Sequence, residues 1–238
     1  MTTNAPRIAI VIPVYNEEGI LHSAVVDLRE RLTPLQWSYE IVLAENGSTD
    51  RTVQMAQQLS EKYPEVSYIT AGAPDYGKAL REGILKTTAE IVICDEIDLC
   101  DTDFHQRAVA ALDSGSADLV IGSKLIDGAE DERPALRHAA SIAYTSLLRV
   151  LLGFKGTDTH GLKAFRRDKL LPIVNACLVN KDVFASELVI RAYRDALKVK
   201  EIPIRVKEKR PPSINLFKRV PNVLKSVAKL TWAIRIKG

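Results

Sequence analysis

A chain of 238 residues, 46% of them hydrophobic, can bury a sizeable core, which excludes a largely disordered protein. Its formal net charge of +3 is too small to indicate nucleic-acid binding, so no nucleic-acid partner is predicted. The three cysteines are odd in number and form no C-x-x-C pair, which argues against a disulfide framework and favours a reducing compartment, the cytoplasm.

The sequence lacks the patterns that direct a chain into or across a membrane. No N-terminal run has the charged-then-apolar order of a signal peptide. No window approaches the ~20 apolar residues that a helix needs to cross a bilayer. We therefore expect a chain that does not cross a membrane by itself.

Apolar, β-branched runs alternate with segments of helical periodicity through the first half of the chain. Strands are predicted at 7–14, 40–44, 66–70, 91–93 and 119–122, with a helix after each of the first four, a further helix at 135–152 and a loop at 153–161. Near-continuous apolar strands separated by helices predict an α/β fold, with a mostly parallel sheet covered by helices on both faces.

Polar residues follow four of these strands at the point where each strand ends. The segments are 13–17, 45–48, 95–98 and 123–124. In a parallel sheet the ligand lies beyond the carboxyl ends of the strands, so these segments are predicted to form the functional site. Neither G-x-G-x-x-G nor G-x-x-x-x-G-K-[ST] occurs, which weakens dinucleotide-binding and phosphate-loop interpretations.

Five carboxylates lie within the nine residues 95–103, directly after the fourth strand. Like charges this close repel unless a cation or a set of donors holds them, so the cluster indicates a site for Mg²⁺ or Mn²⁺. Glu96 and Asp98, two apart on extended backbone, point the same way and can hold one cation. Two alternatives remain open: Asp95 and Asp98 bind the cation with Glu96 aimed elsewhere, or the acids cap the next helix.

At this point the sequence resembles the family 2 glycosyltransferases of GT-A fold, in particular the branch of dolichol-phosphate mannose synthase and other polyprenyl-phosphate glycosyltransferases. The resemblance covers residues ~7–215 in the family's order, and the pieces are specific in combination although each is weak alone. The matching pieces are 10–18, 45–50, 77–80, 96–99, 122–124, 157–167, Glu187, 201–203, Arg210 and Ser213.

The resemblance implies a GT-A, Rossmann-like fold and an inverting transfer of a hexose from a GDP- or UDP-sugar, with Mg²⁺ or Mn²⁺, to a polyprenyl phosphate. It assigns catalysis to Asp98, Asp158 and Glu187 and the metal to Glu96 and Asp98. It assigns the nucleotide sugar to Pro13, Tyr15, Glu17, Glu45, Gly77, Lys78, Asp95, Lys124, Arg210 and Ser213. It assigns the acceptor to Lys163, Arg166 and Arg167.

Three positions depart from the family pattern. Glu45-Asn46 stands where the family usually has Asp-Asp, so the identity of the base stays open. Glu96-Ile97-Asp98 replaces Asp-x-Asp, and His160 stands where the family often has Gly, Ser or Cys. Plainer interpretations also remain for three of the assignments: Glu45 as a helix cap, the basic residues 163–167 as an exposed patch, and Glu187 as a surface residue of an amphipathic helix.

The C-terminal segment is strongly basic. Residues 209–238 hold eight Lys or Arg and no Asp or Glu, and apolar residues recur there at helical spacing. We predict a GT-A domain at 1–215 and a basic amphipathic extension at 216–238, which either lies on an anionic membrane surface on the cytoplasmic side or packs back on the domain. Other functions left open are transfer to a soluble acceptor and a non-catalytic, nucleotide-sugar-binding subunit; the oligomeric state is not predicted.

Overall fold

The computed structural model describes residues 5–181, 183–206 and 216–237, without the side chains of 216–221. The strands in these ranges are β1 (Ile8–Val14), β2 (Tyr39–Glu45), β3 (Val66–Thr70), β4 (Ile91–Cys94), β5 (Leu119–Ser123), β6 (Glu130–Asp131), β7 (Lys163–Arg166), β8 (Val199–Pro203) and β9 (Arg205–Val206). The α-helices are α1 (Leu21–Leu32), α2 (Thr52–Lys62), α3 (Tyr76–Lys86), α4 (Thr102–Asp113), α5 (Ala135–Leu152), α6 (Arg167–Ala176), α7 (Phe184–Arg194) and α8 (Leu216–Trp232).

Seven strands form the main sheet, in the order β3-β2-β1-β4-β7-β5-β8. All its pairs are parallel except those of β7, which runs antiparallel to both β4 and β5. The register places Lys163 opposite Cys94, at the carboxyl end of β4, and Arg166 opposite Ile91, at the start of β4. The prediction of a mostly parallel sheet is confirmed, but it lacked two strands: the reversed β7 and β8, which pairs in parallel with β5.

Both faces of the sheet are covered by helices, as predicted. Successive residues of β1 point to opposite faces, so Ile10 and Ile12 lie in one apolar layer and Val11 in the other. Helices α1, α2 and α4 pack against the first layer, and α3, α5, α6, α7 and α8 against the second. The strands are buried on both sides, which leaves the loops at their carboxyl ends as the place for a site.

The C-terminal helix packs its apolar side against the domain. Leu230 and Ile234 are buried in the second apolar layer, whereas Lys225 and Lys229 are exposed. Arg194 donates to Ile234 O at 2.8 Å and to Leu152 O, so the ends of α5 and α8 meet there. In this part of the helix, the structure therefore agrees with the alternative in which the extension packs back on the domain. The division of the chain into a domain at 1–215 and an extension at 216–238 stays a prediction.

Two predicted binding residues, Arg210 and Ser213, lie outside the described residues, so their assignment to the diphosphate stays a prediction. Among the helices that the structure describes, none combines the length and the apolar character needed to cross a bilayer. Strand β9, which pairs in parallel with β6, ends at Val206, a few residues before Arg210 in the sequence.

Candidate active site

The loops that follow β1 and β2 are hydrogen-bonded into one wall at the carboxyl edge of the sheet. Asn16, in a left-handed conformation (φ 53°), donates through its backbone to Ser48 Oγ at 3.0 Å. Its side-chain oxygen accepts from Thr49 N at 2.8 Å, and Glu17 N donates to Thr52 Oγ1 at 2.7 Å. The two predicted nucleotide-binding segments therefore lie side by side.

The first of these loops presents Tyr15 to solvent. β1 continues through Pro13 to Val14, and Tyr15 is the first exposed side chain after it, at 44% of its full exposure. Pro13 itself is buried within the strand and does not end it. An exposed ring beside the second loop is available to lie against a base.

Glu45, predicted to recognise the base, is buried at the end of β2. Its carboxylate accepts a hydrogen bond from Ser48 N in the loop before α2; because α2 begins only at Thr52, this contact does not cap that helix, as the plainer interpretation would require. Next to it, Asn46 Oδ1 accepts from Asp75 N, which ties the end of β2 to the start of α3. The role of Glu45 in base recognition stays a prediction.

Gly77 and Lys78 lie in the first turn of α3, which begins with an Asp75 cap on Lys78 N at 2.8 Å. A Cβ on Gly77 would collide with the carbonyl oxygen of Asn180, so a glycine is needed for α3 to approach the segment before α7. Lys78 Nζ donates to Ala71 O at 2.8 Å. These contacts give both residues a structural role in positioning α3. Nucleotide binding by either residue stays a prediction.

The acids after β4 lie on a turn and not on extended backbone, which corrects the geometry assumed from the sequence. Glu96 O accepts from Leu99 N at 2.9 Å and from Cys100 N at 3.0 Å. Burial raises the pKa of Glu96 to about 7, with Asp98 adding repulsion and Lys124 opposing both. The two carboxylates are thus close enough to repel, and the turn brings them together.

Asp95 is aimed into the protein, which corrects its assignment to the nucleotide sugar. It is 1% exposed, and its Oδ2 lies 2.5 Å from Nε2 of the buried His105 on α4. Its Oδ1 accepts from Glu96 N at 2.6 Å. Because both oxygens have protein partners, the alternative cation pair of Asp95 and Asp98 is not the one that the structure presents.

Tyr76, at the start of α3, is a site residue that the sequence analysis missed. Burial raises the pKa of its phenol well above the usual value, and the negative charges of Glu96 and Asp98 contribute. The side chain is nevertheless 39% exposed, so it lies beside the acidic turn with one side open. The available signal was an aromatic residue directly before the Gly77-Lys78 motif.

Opposite the acidic turn lies a cluster of two lysines and one acid. Lys124 Nζ donates to Asp158 Oδ2 at 2.5 Å, with both side chains largely buried. Burial alone would raise the pKa of Asp158, but Lys124 and the amide of His160 hold it below the usual value. Lys163, 3% exposed, donates to Gly161 O at 2.6 Å, and burial lowers its pKa despite the nearby Glu96 and Asp158.

The loop that carries Asp158 is anchored by residues that the sequence analysis did not single out as site residues. Thr157 N and Oγ1 both donate to the carboxylate of Glu201 at 2.7 Å, and Ser123 Oγ lies 2.7 Å from Thr157 Oγ1. Thr145 Oγ1, on α5, donates to Thr157 O at 3.0 Å. A Cβ on Gly161 would collide with Gly122 O, so this loop lies directly against β5.

A chain of hydroxyl groups orients the exposed end of the same loop. Tyr144 OH lies 2.9 Å from Ser186 Oγ, which lies 2.8 Å from Thr159 Oγ1. Thr159 Oγ1 lies 3.2 Å from Nδ1 of His160, whose ring also packs edge-on against Tyr144. Ser186 and Thr159 are buried, and His160 is exposed beside Asp158. His160, one of the three positions where the sequence departs from the family pattern, thus faces solvent at the site.

Arg166 and Arg167 lie at the opposite edge of the sheet, which corrects their assignment to the acceptor. β7 runs antiparallel, so only its first residue, Lys163, reaches the carboxyl end of β4. Arg166 lies three residues further on, or ~10 Å along the strand, and forms ion pairs with Glu90 at 3.6 Å and Asp168 at 3.5 Å. Arg167 N donates to Glu90 O at the start of β4.

Glu187 is neither a surface residue nor open to a substrate. It is fully buried in α7, and its Oε2 accepts from Leu178 N and Val179 N at 2.9 and 2.8 Å. Its Oε1 accepts from Arg191 Nε at 2.8 Å and from Leu178 N at 3.1 Å. The predicted catalytic acid therefore holds the segment before α7 in place.

The donor set of the acidic turn fits a divalent cation shared with a ligand. No group of three or more His, Cys, Asp or Glu side chains in the described ranges could enclose a metal ion. Glu96 and Asp98 offer two hard oxygen donors, and the pKa of Glu96 is raised first by burial and then by repulsion from Asp98, which a cation would relieve. Magnesium-type sites take one or two carboxylates and complete their shell with phosphate and water.

Comparison with known proteins agrees with this geometry. The family model for glycosyl transferase family 2 matches residues 9–172. The chain therefore belongs to glycosyl transferase family 2.

Its relatives are named as glycosyltransferases, among them a dolichyl-phosphate β-glucosyltransferase. It is 24% identical to glycosyltransferase AglD of Haloferax volcanii over 99% of this chain and 39% of that protein. It is 28% identical to the hexosyltransferase Agl6 of the same organism over 84% of this chain, and spans 48% of that protein. The dolichyl-phosphate β-glucosyltransferase of Saccharomyces cerevisiae is 26% identical over 83% of this chain and 66% of its own length. The chain thus spans less than half of the first two relatives.

Solved structures confirm the fold. Glucosyl-3-phosphoglycerate synthase from Mycobacterium tuberculosis, in complex with Mn²⁺, UDP and glucosyl-3-phosphoglycerate, superposes with a TM-score of 0.68 at 18% identity, covering 96% of this chain and 79% of that one. The same enzyme with UDP gives a TM-score of 0.70 at 20% identity, covering 96% and 80%. The GT-A architecture implied by the sequence resemblance is confirmed.

Proposed function

We propose that this chain transfers a hexose, with inversion, from a UDP- or GDP-sugar to a polyprenyl phosphate at a membrane surface, with Mg²⁺ or Mn²⁺ as cofactor. The observation that carries the proposal is the pairing of opposite chemistries at one edge of the sheet. The repelling acids Glu96 and Asp98 suit a cation and diphosphate, and the buried lysines Lys124 and Lys163 beside them suit an anionic acceptor.

On the donor side, the wall formed by the first two loops supports nucleotide binding. The exposed ring of Tyr15 would lie against the base, and the buried Glu45 would accept from its edge, with uridine or guanosine both open. The remaining proposed contacts to the nucleotide sugar are Pro13, Glu17, Gly77, Lys78, Lys124, Arg210 and Ser213.

Glu96 and Asp98 would hold the cation. When bound, a divalent ion neutralises charge on the departing diphosphate as a Lewis acid. The chain's own contribution is positioning: the turn fixes the two carboxylates, and the surrounding burial strengthens their electrostatic interactions. In this proposal Asp98 contributes to catalysis by holding the cation, not by donating a proton.

The state of Asp158 favours a phosphate over a hydroxyl acceptor. A hydroxyl must lose its proton in the reaction, and Asp158 would be the first candidate base. Its pKa is held below the usual value by Lys124, which makes it a poor base near neutral pH. A phosphate oxygen is already anionic and needs only placement, for which Lys163 and the Lys124–Asp158 pair are suited. Relatives named as dolichyl-phosphate transferases support the same acceptor.

Helices α5 and α8 support a membrane surface as the place of reaction. Val150 near the end of α5 is 79% exposed, Trp232 at the end of α8 is 48% exposed, and Ile236 in the turn that follows α8 is 73% exposed. Residues 133–157 and 209–238 contain no Asp or Glu. Exposed apolar side chains with only basic neighbours along these segments suit an anionic lipid surface.

The test is a screen of radiolabelled UDP- and GDP-sugars against polyprenyl phosphate, with Mn²⁺ or with excess EDTA. We expect label in an organic-extractable product with one nucleotide series, and loss of that product in EDTA. Label transferred only to a water-soluble acceptor would replace the lipid acceptor, and neither transfer nor donor hydrolysis under any condition would indicate a non-catalytic subunit.

A further inference from the structure

The buried pair of Asp95 and His105 supports the turn that carries the proposed cation ligands. Both side chains are fully inaccessible to solvent, and His105 Nε2 lies 2.5 Å from Asp95 Oδ2. The other carboxylate oxygen accepts from Glu96 N at 2.6 Å. Asp95 therefore connects helix α4 to the first residue of the turn.

The hydrogen bonds of this pair indicate why a histidine is buried there. An ionised carboxylate only accepts hydrogen bonds, so Nε2 of His105 donates to Asp95. The other ring nitrogen, Nδ1, is buried without a hydrogen-bond partner among the residues that the structure describes. An apolar ring would fill the same space without leaving a polar atom unpaired, so the bond to Asp95 is the contribution that distinguishes histidine here.

We infer that His105 is a positioning residue for the divalent cation: through Asp95 it fixes the backbone of Glu96, and with it the carboxylates of Glu96 and Asp98. The inference rests on the proposed function, because it takes this turn to be the cation site. The backbone of Glu96 is held at both ends, since its amide donates to Asp95 and its carbonyl accepts from Leu99 and Cys100.

A residue that positions metal ligands without touching the metal has a measurable effect on metal affinity. Groups that orient metal ligands without touching the metal typically change metal affinity 10- to 100-fold when they are removed. A loss of that size is therefore expected when the donor at position 105 is lost, even though His105 itself contacts neither cation nor nucleotide.

The experiment measures the dissociation constant of Mn²⁺ by calorimetry in saturating UDP and, in parallel, in saturating GDP. His105→Phe should raise it at least tenfold, whereas His105→Gln, whose amide can still donate to Asp95, should stay within threefold of the wild type. Val109→Ala, a core truncation on the same helix, is the control: it should lower the melting temperature and leave Mn²⁺ binding unchanged. Nucleotide binding in EDTA should be equal in all four proteins.

Unchanged Mn²⁺ binding in folded His105→Phe overturns the positioning role alone, as does an equal weakening in Val109→Ala. If His105→Phe does not fold, His105→Met takes its place with the same expected result. A wild-type protein that binds no Mn²⁺ with either nucleotide overturns both this inference and the proposed cation site.

Discussion

Two regions of the molecule carry acids that the sequence assigned to catalysis, and the structure treats them in opposite ways. In the segment 177–187, each oxygen of Glu187 accepts from two donors, supplied by two backbone amides and Arg191. In the turn after β4, the largest influence on the pKa of Glu96, apart from burial, is the like charge of Asp98, which outweighs the opposing charge of either Lys124 or Lys163. Donors in the protein bind both oxygens of Glu187, whereas the pKa of Glu96 is dominated by burial and repulsion.

This difference between Glu187 and the turn after β4 indicates which of the two regions needs a ligand. A buried carboxylate surrounded by donors has its charge balanced by the fold, so its removal affects stability. Two like charges in a partly buried turn repel each other, and a bound proton or cation relieves that repulsion. The predictions below test this contrast, beginning with the largest effect.

Asp98→Ala should lower the rate of sugar transfer about 1,000-fold, or ~4 kcal/mol of transition-state stabilisation, because the cation and diphosphate lose a ligand. The melting temperature should stay near that of the wild type. The matched control is Asp103→Ala, which removes an exposed acid of the same cluster and should change the rate less than twofold. An Asp98→Ala enzyme that retains more than a tenth of the wild-type activity would contradict the proposed difference between this turn and Glu187.

Glu187→Ala should destabilise the fold by ~3–5 kcal/mol in urea unfolding, because Arg191 and two buried amides lose their acceptor. Glu61→Ala, at an exposed site on α2, is the control and should leave the unfolding curve nearly unchanged. A stable Glu187→Ala protein that lacks activity would return Glu187 to a catalytic role and make the two regions alike.

Mn²⁺ affinity should fall about tenfold between pH 8 and pH 6, because a proton competes with the cation at Glu96, whose pKa is about 7. The folded protein also binds this proton more tightly than the unfolded chain, so metal-free stability contributed by Glu96 should decrease as the pH rises from about 4.5 to 7. Glu96→Gln should remove that slope. Equal slopes in the two proteins would show that Glu96 is not the titrating group.

Arg166→Ala and Arg167→Ala should change the KM for the acceptor less than twofold, because both residues lie at the edge of the sheet opposite the site. Lys163→Met, on the same strand, should raise that KM several-fold. Steady-state kinetics with a short water-soluble polyprenyl phosphate would measure all three. A large effect of Arg166→Ala would mean that the acceptor reaches much further than the cluster around Asp158.

The local patterns of the sequence predicted much of this fold. The alternation of strands and helices gave the parallel sheet, and the helix expected at 135–152 is α5, Ala135–Leu152. The polar strand ends do gather at one edge, because parallel strands share their direction. The antiparallel β7 escaped prediction, since its four residues include Lys163 and Arg166 and so form no apolar run that would indicate a strand.

Within the site, sequence patterns indicated which residues carry chemistry but not the partners of each acid. Asp95, Glu96 and Asp98 are alike in the sequence, and only the packing of α4 brings His105 to Asp95 and distinguishes it from the other two acids. Glu187 likewise matches an amphipathic helix, whereas its burial depends on a segment folded back from 177–180. Such contacts arise from tertiary packing, which no local pattern encodes.

The central claim is that the turn after β4 binds a divalent cation together with a nucleoside diphosphate. The most direct measurement is anomalous diffraction from crystals grown with Mn²⁺ and either UDP or GDP. The account predicts a manganese peak bound by the carboxylates of Glu96 and Asp98 and by diphosphate oxygens, with Asp95 still paired to His105. A manganese peak at Asp95 or Glu187, or a diphosphate bound away from this turn, would contradict it.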